Sequence, residues 1–341
     1  MARLLSLLLV VTALCGSAAG QAFCALRDPN RQLYDLYPEA TSYRSIVRII
    51  DEDARERVAE RLPFTLHFNE LGRHTLYVPM RESAVMGLVH VRSESGRWGL
   101  VEVAWALDLD LKVRDFRFQR CRDRQRKALE EEEVKAALEG LDFQGLRALL
   151  DEEGLALKPD VLPVSPEAAD LAVTLVRNGL KTIAATRAAW QGDLVTLRAH
   201  DVAQRLAGTT RNVARVKRVY DAALIERLAD RVGDKGTGIR RSRTAAWTAR
   251  DKEGHVLGCV VATSWRHSEH TAHLIWSVDT DGHLREVANY DGWGSKEVGA
   301  QFQEQVGRCL EDFEVCAGIV DLTALEVLVT AGSVLDETTG Q

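Results

Sequence analysis

Three stretches of this chain bring together residue types that chemistry can use. The first is Gly292-Trp293-Gly294-Ser295-Lys296. Its two glycines expose backbone N–H groups, Ser295 adds a hydroxyl and Lys296 a cation, a combination that suits a phosphate. The indole of Trp293 would stack on a planar ring. The competing reading is an ordinary loop between a strand and a helix. The second stretch, Trp265-Arg-His267-Ser-Glu-His270-Thr-Ala-His273, holds the one histidine cluster. Imidazoles are metal ligands, but a spacing of three suits neither a strand face nor a helix face. No fourth ligand is evident, and the stretch reads as a polar hairpin tip. The third, Gly233-Asp-Lys-Gly236-Thr-Gly238, lacks the GxxxxGK[ST] spacing of a phosphate loop and reads as a flexible connection. No GxSxG, HExxH or paired-carboxylate motif is present, so no catalytic constellation stands out.

Charge and composition narrow the classes further. The 341 residues carry a net charge of −6, with 46% hydrophobic and 28% charged residues. That is an ordinary globular composition. Its scattered charge gives no reason to expect nucleic acid or an anionic membrane as partner. The N-terminus reads as a secretory signal over residues 1–22. Arg3 is its basic start, Leu4–Leu14 its short apolar run, and Gly20-Gln21-Ala22 a small-x-small cleavage site before Phe23. The expectation is an exported protein, in a periplasm or secreted, with no transmembrane segment after cleavage. Such a compartment permits disulfides. Cys24 and Cys121 bracket the first half, and Cys309 and Cys316 are close in sequence; these four are the disulfide candidates. Cys259, in the apolar run Val256–Ala262, reads as a buried free thiol.

The elements that must position these residues occur twice. Residues 36–62 lie over 206–232 at an offset of 170, and 75–116 over 246–287 at an offset of 171. Trp105 meets Trp276, Gly87 meets Gly258, and Asp108 and Asp110 meet Asp279 and Asp281. A period this long exceeds that of solenoid repeats and predicts two tandem domains, 23–190 and 191–341. In the first copy, Asp51–Leu62 reads as a helix. Thr75–Val78, Met86–Arg92, Gly99–Ala106 and Lys112–Phe118 read as a meander, broken by Ser93–Gly96 and by Asp108–Asp110. Residues 122–151 read as helical and highly charged, with Glu130–Glu133 on a solvated helix face. A helix over Glu167–Ala189 closes the copy, and Trp190–Leu197 is the junction. The second copy repeats the plan with a helix over Asp221–Val232, strands over 244–288, a helix near Glu297–Phe313 and a last apolar segment over Ala317–Val334. The two tryptophans are expected in the core and the paired aspartates in hairpin turns.

The second copy resembles the FMN-binding domain of exported flavoproteins, the kind found in the Rnf and Nqr electron-transport complexes and in NosR. The residues that carry the likeness are Asp251-Lys-Glu-Gly254-His-Val-Leu-Gly258, the hairpin Trp276-Ser-Val-Asp279-Thr-Asp281-Gly282-His-Leu284, the loop Gly292–Lys296, and Phe302-Gln-Glu-Gln305-Val-Gly307-Arg308. The likeness implies an α+β fold, two tandem FMN-binding-like domains, each a small twisted antiparallel sheet packed with helices. It also implies a role in periplasmic electron transfer, its assembly or sensing, with periplasmic or membrane redox proteins as partners. One departure is specific. The family carries a segment resembling D-x-x-S-G-A-T, whose threonine can be esterified by FMN. Here Asp321-Leu-Thr-Ala-Leu-Glu-Val327 puts Val327 at that place, and Ser165-Pro-Glu-Ala168 in the first copy also lacks the threonine. The expectation is therefore non-covalent FMN, bound through Gly292, Trp293, Gly294, Ser295 and Lys296, or a scaffold that has lost the cofactor.

Overall fold

The computed structural model describes residues 28–66, 71–82, 84–207, 212–216, 245–267, 270–289, 302–309, 312, 324, 326–332 and 334–335. The chain forms two compact units. The first ends at Trp190 and the second starts at Gln191, with residues 80–85 belonging to the second.

The first unit opens with α1 (Asn30–Leu36), then β1 (Ser42–Ile50) and α2 (Glu52–Ala59). Asp51 ends the strand and caps α2, its Oδ1 accepting from Ala54 N at 2.8 Å. That is the usual way of satisfying an orphan N–H at a helix start. The meander follows: β2 (Gly72–Arg81), the two-residue β3 (Ala84–Val85), β4 (Leu88–Gly96), β5 (Gly99–Leu107) and β6 (Val113–Arg120). The sheet order is β1-β2-β4-β5-β6, with β3 on β2. Three short helices, α3 (Arg126–Leu129), α4 (Glu132–Leu138) and α5 (Phe143–Ala148), lead through a 3-10 turn at Pro166–Ala168 into α6 (Ala169–Ala207). One face of the sheet packs Val89, Val91, Ala104 and Ala106 against Leu33 and Tyr37 of α1 and its C-cap. The other face carries Trp105, which meets the first half of α6 where Gly179 leaves room. A Cβ at Gly179 would stand 2.9 Å from the indole.

The second unit contains Gln191–Ala207 of α6, then β7 (Asn212–Val216), β8 (Ala245–Arg250), β9 (Val256–His267), β10 (His270–Asp279) and β11 (Leu284–Asn289). Its antiparallel sheet has the order β11-β10-β9-β8-β7. One face is an apolar core: Cys259, Val261, Leu274, Trp276 and Val278 pack with Phe302 and with Val327, Leu328 and Val334 of the C-terminal helical segment. Trp276 and Phe302 meet edge to face at 5.6 Å and 87°, a favoured aromatic geometry.

The two sheets share their strand path, and their turns agree atom by atom. Asp108 Oδ1 accepts from the backbone N–H of Asp110 and Lys112, and Asp279 Oδ1 from those of Asp281 and His283. The left-handed residue that closes each turn is Leu111 (φ 63) in one unit and Gly282 (φ 82) in the other. Val113 exchanges backbone bonds with Gly140 and Leu141, and Leu284 does so with Gly307 and Arg308.

Register corrects the sequence alignment at one point. Tyr77 pairs with Val89 and Trp247 with Val260. The counterpart of β2 is therefore β8 at an offset of 170 (247 less 77), while β4 and β9 keep 171 (260 less 89). The extra residue falls in the connection after β2, where a turn absorbs it without flipping a strand.

Other expectations are corrected or sharpened. Ser93–Gly96 is not a break but the end of β4; the turn is Gly96–Gly99, and Ser93 and Glu94 are buried. Residues 122–151 are helical, in three short helices, because the chain leaves helical geometry at Glu139 and turns at Gly140 (φ 77) to pair with Val113. Trp190–Leu197, expected as the junction, is helical, with a kink at Trp190 (φ −114, ψ 20), the last residue of the first unit. Around the helix expected at Glu297–Phe313, the described chain is helical at Phe302–Gln303 and turns by Gly307. Gly307 N is held by Leu284 O at 2.7 Å, which stops the helix there.

Candidate functional site

The expected ligand loop, Gly292, Trp293, Gly294, Ser295 and Lys296, lies outside the described residues, as do Asp221–Val232, Gly233, Gly236, Gly238 and Asp321. The other motifs of the second unit are placed. Gly254 (φ 92) closes the turn opened by Asp251, whose Oδ1 accepts from His255 N at 2.9 Å. Gly258 (φ 153) lies where α6 crosses the sheet; a Cβ there would stand 2.5 Å from Leu206 Cδ2 and overlap Val278 O. Asp279 is held below the usual carboxylate range. Partial burial pushes it up, but the His283 N–H and the Arg285 guanidinium outweigh that. Val327, at the place of the family's threonine, is fully buried in the apolar core. That position offers no hydroxyl and no access to a phosphate.

On the opposite face of the second sheet is a cavity of 380 Å³. It lies between α6 and β8–β10 and is lined by Gln191, Gly192, Val195 and Thr196 from the helix and by Trp247, His273 and Ile275 among the strand residues. Period-two alternation brings Ala245 and Trp247 of β8 to one face, and His273 and Ile275 of β10 to the same face. Helical spacing brings Gln191, Val195 and Thr196 together on one side of α6. Trp247 is the counterpart of Tyr77, the half-buried aromatic at the edge of the first unit's α1-facing core. Gln191 and His273 are joined at 3.1 Å, Nε2 to Nε2. The amide is the donor in such a pair, so His273 Nε2 accepts and Nδ1 carries the ring proton. Thr196 donates to Gly192 O at 3.2 Å and keeps its acceptor lone pairs. Indole and aliphatic walls with a few polar groups are the usual make-up of a small-molecule cavity.

The first unit puts different chemistry on its tryptophan face. His90, Arg92 and Glu94 alternate along β4 and are all buried. Glu94 Oε2 accepts from Lys181 Nζ at 2.8 Å, and Lys181 also donates to Ser93 O. Arg177 stands 3.8 Å from the other carboxylate oxygen. Asn178 donates to Arg92 O at 2.9 Å and accepts from Trp105 Nε1 at 2.8 Å. Arg92 donates to His74 Nδ1 at 2.8 Å. Thr186 gives its one proton to Thr182 O, so the 2.8 Å contact with His90 Nδ1 is a bond from the ring N–H to the hydroxyl. His90 Nε2 is then a bare lone pair without a hydrogen-bond partner among the described residues, and its ring packs edge to face on Trp190 at 5.0 Å. Burial, with Arg92 and His74 nearby, keeps this imidazole neutral by holding its pKa well below the usual histidine range.

The remaining site expectations are quickly placed. Trp105 and Trp276 are fully buried. His267 and His270 are register partners across the β9–β10 hairpin, while His273 is at the cavity. Among the described residues, no group of three or more metal-ligating side chains is present. Among the described residues no disulfide joins Cys121, Cys259 or Cys309, and Cys24 and Cys316 lie outside the described residues. No helix among the described residues is long and apolar enough to cross a membrane. Gln191, Thr196 and Trp247 carry no local signal of a cavity, because the apolar helical pattern stops near Ala189 and Trp247 has the look of an ordinary strand residue. The polar strip is masked by the turn-like composition of Ser93–Gly96; the alternation of His90, Arg92 and Glu94 along one strand is the signal that points to it. In comparisons with known proteins, no family model, no curated protein and no solved structure matches the chain.

Proposed function

We propose that this is an exported, FMN-binding-domain-like protein that holds flavin non-covalently in its second unit and serves electron transfer, its assembly or its sensing. The observation that carries the reading is the cavity beside Trp247, His273 and Gln191, in the unit whose motifs resemble the flavin domain. The buried Val327 supports non-covalent binding over an ester link. In such a protein the cofactor supplies the redox chemistry and the chain supplies binding, orientation and tuning. A second reading, a scaffold that has lost the cofactor, is favoured by the apolar packing where the esterified threonine would be.

The test is the visible spectrum of the protein, produced by export in a bacterial host with flavin present, followed by intact mass. A flavin spectrum that is lost on denaturation, with an unmodified mass, supports the reading. A colourless protein that takes up no added FMN leaves the scaffold in front.

A further inference from the structure

The cavity of the second unit has two kinds of wall, and they sort the ligand by shape and charge. Trp247, Ile275, Val195, Ala245 and Ala262 form apolar walls. The polar groups gather toward the helix: the Gln191–His273 pair and the Thr196 hydroxyl. Thr263, also at the lining, is already engaged, since its Oγ1 accepts from Trp276 Nε1 at 3.0 Å on the other face. Flat apolar walls favour a planar ring, which an indole can stack on or meet edge-on. The Gln191 amide can donate to a ring carbonyl or ring nitrogen, and the Thr196 oxygen, its proton given to Gly192 O, can accept from a ring N–H. The described lining includes no lysine or arginine.

We infer that this cavity reads the uncharged, carbonyl-bearing planar ring of its ligand and that any phosphate the ligand carries is bound elsewhere. This rests on the reading above that the second unit is a ligand-binding unit. The ring chemistry has two sources, a flavin or a quinone, and both are probed.

The experiment titrates the exported full chain with FMN, riboflavin and menadione separately, following tryptophan fluorescence and heat. The expected result is that riboflavin binds within about threefold of FMN, since the shared ring supplies the contacts. Trp247→Phe keeps most of the affinity, whereas His273→Ala and Thr196→Val weaken both flavins by about tenfold, the scale of one lost polar or stacking contact. Thr196→Val sits on a partly exposed helix position, so it tests the site even if a Trp247 variant fails to fold. FMN binding without riboflavin binding overturns the inference and leaves the flavin reading standing. Menadione binding that depends on His273, without flavin binding, supports the ring inference and overturns the flavin reading. Binding of no probe, or binding unchanged in both variants, overturns the inference.

Discussion

The tryptophan face of the first sheet and that of the second are built on the same strand path, yet one is polar and the other apolar. Where β4 sets His90, Arg92 and Glu94 against α6, the matching positions of β9 carry Val261, Thr263 and Trp265. The first face is held by the edge-to-face contact of His90 with Trp190, by hydrogen bonds joining His90 to Thr186 and Asn178 to Arg92 and Trp105, and by the Glu94–Lys181 ion pair. The second is held by aliphatic and aromatic packing around Trp276 and Phe302. The meander survives this exchange because its shape is set elsewhere, in the aspartate turns, the glycines under the helix and the docking of β6 and β11 on a helix end. A buried charge pair contributes little net stability over a well-packed apolar pair but makes the loss of one partner costly. The first unit is therefore the one in which single polar substitutions should be felt most.

That comparison can be broken at its strongest point first. Lys181→Ala leaves Glu94 buried without its ammonium, and the expected cost is about 3–5 kcal/mol in chemical denaturation. The double variant Lys181→Met with Glu94→Gln should recover a large part of that loss. A Lys181→Ala protein as stable as the parent would mean that the strip is not a closed network.

The glycines under the helices test what the two units share. A Cβ at Gly87 would stand 2.6 Å from Leu107 O and overlap the Tyr37 hydroxyl, and one at Gly258 would overlap Val278 O. Neither carbonyl can retreat without moving a strand. Gly87→Ala and Gly258→Ala should each cost about 1–3 kcal/mol, the range of an overpacked core. If only one unit loses stability, the helix–sheet contact is not equivalent in the two.

The turn closers give a smaller and cleaner difference. Gly282 has open space around its Cα, so Gly282→Ala carries only the left-handed backbone penalty, about 1–2 kcal/mol. Leu111 already bears that penalty and offsets it by burying its side chain. The thermal midpoint of Gly282→Ala measures the term that the first unit tolerates.

The gentlest effect is in pH. His90 is neutral in the fold and has a pKa depressed by burial and then by Arg92 and His74. The unfolded chain binds a proton near its ordinary pKa of about 6.5, so between that pH and the lower folded value the unfolded state holds more protons. Stability contributed by neutral His90 is therefore present above pH about 6.5 and falls as the medium is acidified. His90→Leu should flatten this part of the stability–pH curve. An unchanged slope would assign the acid sensitivity to another group.

How much of this was legible in the chain follows from the range of the forces involved. Asp108 and Asp279 were readable as turn formers because their bonds reach only two to four residues. The α+β class and the meander were readable from alternation and from the repeat, and the buried tryptophans from size and apolarity. The polar strip was not readable. Glu94 and Lys181 are 87 residues apart, and an acid after a serine near a glycine has the local signature of a turn. The cavity was equally hidden, because the helix that roofs it resumes past Trp190, where the backbone is kinked and the indole donates to Ile46 O at 2.9 Å. The sequence by itself determined local geometry and the duplication, since both depend on near neighbours and on side-chain type. The tertiary structure alone decided which charges are buried together and which face keeps a cavity, because burial and pairing depend on elements that meet across the fold.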